Sequence, residues 1–179
     1  MPTYRYPVLI WEDFTGHFTA RLVEDLEAPA AFSATRTEAV FQLKDYLNWS
    51  LQNRPWLPEP DFQSAALVML RVDVRPEYQV HERLYPCEES IAIRVPCVTG
   101  SNTVGLLICS LPTMGLKFFY QEPGRLKHLV NHYSQERLRG QPPQEIARFL
   151  PPRSVTLDEI VIQSNRKRSS SVYSPELAT

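Results

Sequence analysis

The chain has 179 residues, 43% apolar and 22% charged, with a formal net charge of -1. That profile excludes fibrous and wholly disordered classes and fits one or two globular domains. No apolar run is long enough to span a membrane, and the opening Met-Pro-Thr-Tyr-Arg lacks a basic region followed by an apolar stretch, so the expected location is cytoplasmic with no membrane partner.

In chain order, "YRYPVLIW" (Tyr4 to Trp11) reads as a β-strand and "EDFTGH" as a turn, with Gly16 free to take positive φ. "FTARLVEDL" alternates as a half-buried second strand would, and "APAAFSAT" adds a short third. Thr35 followed by Glu38 fits a capping box, in which hydroxyl and carboxylate satisfy the free amides at a helix start. Val40, Leu43, Leu47 and Leu51 then mark one helical stripe, flanked by Phe41, Tyr46 and Trp49, and this helix is expected to cover the hairpin. Pro55, Pro58 and Pro60 stop it.

"YPVLIWEDFTGHFTARL" followed by "SATRTEAVFQLKDYL" resembles the HicB-like antitoxin module over residues 1–53. The shared features are a YPV-type first strand, an acidic turn with Gly, a second strand and a threonine-capped helix. The segment "LEAPAAF" departs from the family's proline-and-glycine stretch, and no DNA-binding helix-turn-helix or ribbon-helix-helix follows. The resemblance implies a ββ(β)α fold and, as one reading, a regulator that binds a small toxin.

Residues 54–61 read as a proline-rich connection between two units. "SAALVMLRVDV", "ESIAIRVPCV", "TVGLLICSL" and "GLKFFYQ" are four β-rich runs, with "GSN" at 100–102 placed as a tight hairpin and "LPTMG" as the next turn. The spacing of Leu126, Leu129, Val130 and Tyr133, between Pro123 and Gly140, predicts a helix. "PPQEIARFL" predicts a shorter one with Ile146, Phe149 and Leu150 inward, and "SVTLDEIVIQ" a last strand. The expected class is α+β: a ββ(β)α unit over 1–53, then a mostly antiparallel sheet with two helices and a final strand over 62–163. Residues 164–179, with three basic residues and five serines, hold too little apolar surface to offset their ordering entropy, and are expected to form a flexible linker to a further domain.

Catalytic signatures are scarce. His128 and His132 stand at i, i+4, the spacing of a zinc pair, but without the glutamate of HExxH or a third ligand. Cys87, Cys97 and Cys109, even joined by His81, match no zinc knuckle and lie in or beside apolar strands, as core thiols do. The acidic pairs Glu12/Asp13, Glu24/Asp25, Glu88/Glu89 and Asp158/Glu159 are neighbours in sequence, which puts them on opposite faces of a strand or in turns. No phosphate loop, dinucleotide loop or esterase elbow is present. The isoelectric point near 6.4 gives no support for a nucleic-acid partner, although Arg71, Arg75, Arg83 and Arg94 interleave with Tyr78 and Tyr85. "RKRSSS" suits a modification or import signal as well as a linker.

The expectation is therefore a bacterial, non-catalytic adaptor without cofactor or metal, which binds a protein or peptide. It would be the N-terminal recognition part of a larger protein such as a Clp-like ATPase, and its oligomeric state is open. Trp56, Tyr78, Tyr85 and Tyr120 are the candidate partner-binding residues, since aromatics anchor peptides beside an unprotected sheet edge.

Overall fold

The computed structural model describes residues 3–53, 60–149 and 151–163. Its order is β1 (Thr3–Glu12), β2 (Phe18–Leu22), β3 (Ala31–Ser33), α1 (Arg36–Asn53), β4 (Gln63–Val74), β5 (Glu77–Val80), β6 (Arg83–Pro86), β7 (Ile91–Ser101), β8 (Leu107–Leu111), β9 (Leu116–Tyr120), α2 (Leu126–Leu138), α3 (Pro143–Ile146) and β10 (Ser154–Gln163). Among the described residues all strand pairings are antiparallel, and with the helices beside them the α+β class holds.

The first sheet runs β10-β1-β2-β3 and the second β4-β7-β8-β9, with β5 and β6 forming a separate ribbon. Alternation along β1 builds two layers at once. Tyr6, Val8 and Ile10 pack with Ala39, Leu43, Leu47 and Leu51 of α1, whereas Leu9 and Trp11 face Phe62, Leu67, Val98 and Ile108 of the second sheet. On that sheet's far side, Val72, Ile93, Val95, Cys97 and Leu111 meet Val130 and Leu138 of α2 and Ile146. The result is helix, sheet, sheet and helices, stacked in that order around three cores.

Polar bonds join the sheets. The Ser110 hydroxyl donates to the Val23 carbonyl at 2.7 Å, and the Arg21 guanidinium donates to the carbonyls of Pro112, at 2.9 Å, and Leu26. Glu24 accepts from the amides of Asp61 and Phe62 at 3.1 and 2.7 Å, while Lys117 donates to the Glu24 carbonyl at 2.6 Å.

Four expectations change. The sequence groups the final strand with the second unit, yet it pairs with β1 over ten positions, from Thr3↔Gln163 to Glu12↔Ser154. Its apolar alternation suits any half-buried edge, and the β1 edge is the one that Ile160 and Ile162 complete over α1. The turn placed at 100–102 lies further on: β7 continues through Gly100, and Asn102 closes the turn by accepting from Val104 and Leu106, with Gly105 at φ 84°. Cβ-free Gly100 is needed inside the strand because Phe62 lies against it. The helix cap uses three residues. Thr35 Oγ1 accepts from the Glu38 amide at 3.3 Å, but the Glu38 carboxylate accepts from the Ser33 hydroxyl instead of reaching the Thr35 amide. Finally, Phe41 and Trp49 point outward, and Ala39 takes the inner position beside half-buried Val40. The proline-rich stretch 54–59, Leu150 and the tail 164–179 lie outside the described residues.

Candidate partner-binding surfaces

Each sheet has two outer strands, and they differ in what guards them. β3 and β9 are only 3 and 5 residues long. β10 is long but charged, with Asp158 paired to Arg36 at 2.6 Å and Glu159 to Arg5 at 2.7 Å. Charge and shortness are the usual protections of a sheet edge. β4 has neither along its middle. It is 12 residues long, and "LVML" leaves Val68 and Met69 exposed and Leu67 and Leu70 half-buried. Its register with β7 is continuous from Ala66↔Thr99 to Val74↔Ile91, after an irregularity at 63–66 where Ser64 takes φ 54°.

Helix α2 lies beside this edge. Gln135 Nε2 donates to the Asp73 carbonyl at 3.4 Å, and a groove of about 530 Å³ opens between helix and strand, lined by Arg71, Asp73, Gly124, Lys127, His128 and Asn131. Asp73 is held by Arg71 through Nε and Nη2 at 3.1 and 2.9 Å. Lys127 and His128 are exposed and make no ion pair among the described residues.

Two of the four expected aromatics meet. Tyr78 and Tyr85 are directly opposite across the β5–β6 ribbon and both are about half exposed, with Val80 beside them. His81, at φ 57°, turns the ribbon. The ribbon is fixed at its base, where Glu77 donates its amide to the Gln141 carbonyl and accepts the Gly140 amide at 2.8 Å, and Arg75 Nε donates to the Cys87 carbonyl at 2.7 Å. Tyr120 is elsewhere, on β9 at the opposite edge of the second sheet. It is half-buried against the α2 core, 6.4 Å from Phe118 between ring centres, and burial pushes its phenol up, helped by Cys109. Its expected exposure is corrected by that packing. Trp56 lies outside the described residues.

The other chemical candidates are dispersed. His128 lines the β4–α2 groove, whereas His132 rests on Tyr133 with ring centres 5.4 Å apart. Cys97 and Cys109 are buried, and contact with Cys109 together with burial holds the Cys97 thiol above its ordinary value, which disfavours the reactive thiolate. Cys87 is half-buried and stands apart from them. Among the described residues no three His, Cys, Asp or Glu side chains converge as a metal site would require, and no helix is long and apolar enough to cross a membrane. A second, larger groove of about 750 Å³ lies between the first sheet and the start of β4, with Arg5, Pro7, Phe62, Ala65, Leu157 and Glu159 among its walls.

No family model, curated protein or solved structure matches the chain. The HicB-like resemblance therefore rests on the quoted residues alone.

The groove beside β4 was not foreseen. A strand apolar on both faces reads as a central strand, and its "ALVMLRV" run gives no sign that one edge stays open.

Proposed function

We propose that the chain is a non-catalytic protein-interaction module that receives an extended segment of its partner as an added strand on β4. The observation that carries this reading is the long β4 edge, apolar at Leu67 to Leu70, in a fold whose other outer strands are short or charged. Main-chain bonds along such an edge supply affinity, and the side chains that flank it supply selectivity. A β4-bound segment runs past α2 on one side, and the Tyr78–Tyr85 ribbon stands beyond the Val74↔Ile91 end of the strand pair.

The test is selection of binding peptides from a random display library against the full chain, followed by amide exchange on the complexes. Peptides that protect β4 amides, and that stop binding when their alternate amides are N-methylated, support strand addition. Peptides that protect only the tyrosine ribbon or the larger groove would overturn it.

A further inference from the structure

The direction of the β4 backbone can be read from one contact. The Asp73 carbonyl is reached by Gln135 of α2 and so points away from β7. In an antiparallel strand the N–H and C=O of a residue point the same way, and alternate residues share that direction. Because the register is continuous from Ala66 to Val74, Leu67, Met69 and Arg71 also present their backbone groups outward, while Val68 and Leu70 bond to β7. Three successive outward positions are enough to align a short peptide, and they lead directly into the groove that Arg71, Lys127 and His128 share with Asn131. The one carboxylate there, Asp73, is already held by Arg71. Lys127, with no ion pair among the described residues, gives the groove a positive excess, and the His128 ring beside it offers an N–H donor.

We propose that the β4–α2 groove selects an acidic extended peptide, paired in main chain with Leu67, Met69 and Arg71 and placing a carboxylate beside Lys127 and His128. This rests on the strand-addition reading and adds the chemical class of the partner. An exposed charge pair contributes modestly, so the preference for acid over amide is about two- to fivefold. It weakens as salt is added.

The probe is a fluorescent peptide of about seven residues that alternates Val and Glu, compared with its Val and Gln counterpart. Expected at low salt are tighter binding of the Glu peptide and slowed amide exchange at Leu67, Met69 and Arg71, but not at Val68 or Leu70, in both complexes. The double variant Lys127→Ala/His128→Ala, changed only at exposed positions, lowers the Glu peptide to the affinity of the Gln peptide and leaves the latter unaltered. Equal binding of both peptides to the native chain, with the same protected amides, overturns the acidic preference and leaves strand addition standing. Binding without protection at those three amides overturns both. Protection that develops without peptide as the protein is concentrated assigns the edge to a second copy and overturns the proposal.

Discussion

The ring of Phe62 occupies the space that a side chain on Gly100 would fill. A Cβ built there overlaps the ring and comes within 2.6 Å of the Gln63 carbonyl oxygen. Phe62 belongs to the core between the sheets, with Leu9, Val23, Val98 and Ile108, so this glycine lets the β4 start close over that core. Gly100→Ala forces backbone as well as ring to move, and a loss of about 1–3 kcal/mol is expected in urea unfolding. An unchanged midpoint would mean that Phe62 swings aside freely.

Arg21 ties the first sheet to the turn after β8 through the Pro112 carbonyl and braces its own β2–β3 connection through the Leu26 carbonyl. Arg21→Ala leaves two acceptors without their partner, and about 1–3 kcal/mol should be lost. Arg21→Lys should recover only part of it, because an ammonium lacks the planar fork that reaches both oxygens. Thermal unfolding of the two variants side by side gives the ranking, and full rescue by lysine would contradict it.

Burial raises the Glu24 carboxyl above its ordinary value, against the opposing effect of the Asp61 and Phe62 amides and Lys117. A carboxyl raised in the folded state holds its proton more tightly there than in the unfolded chain. Its contribution is therefore fully favourable below the unfolded value near 4.5 and is lost as pH rises through the folded value. Relative to Glu24→Gln, the native chain should be more favoured at acidic than at neutral pH, with the change falling in the window just above 4.5. Denaturant titrations of both proteins across that range measure it, and a constant difference would show that the shift is absent.

At the start of α1, Thr35→Ala removes the acceptor of the Glu38 amide and should cost about 1 kcal/mol. Ser33→Ala should also destabilise the helix, since it takes the hydroxyl from the Glu38 carboxylate. If Ser33→Ala is silent in thermal unfolding, the cap is a Thr35 device alone.

What could be read beforehand was local. The Gly16 turn, the α1 stripe through Leu43, Leu47 and Leu51, and the period change at Leu126 each depend on neighbours within a few positions, and each is present. The ribbon of β5 and β6 was missed because its turn residue, His81, is not glycine and its strands bury almost nothing. The tyrosines are plain in the sequence, yet alternation does not say that Tyr78 faces Tyr85 while Tyr120 leans into a core. Whether an edge is open depends on which strands pair, and for Ser154–Gln163 the partner lies about 150 residues away.

That distance bears on how the molecule is assembled. β1 and β2 with α1 can form as soon as their own residues are available, but the outer side of β1 stays bare until nearly the whole described chain has been made and folded back upon it. Closing so long a loop is slow, and the β1 run Tyr6 to Ile10 is aggregation-prone while it waits. The second sheet, which packs on Leu9 and Trp11 of β1 and on Val155 and Leu157 of the last strand, gathers both strands against one core.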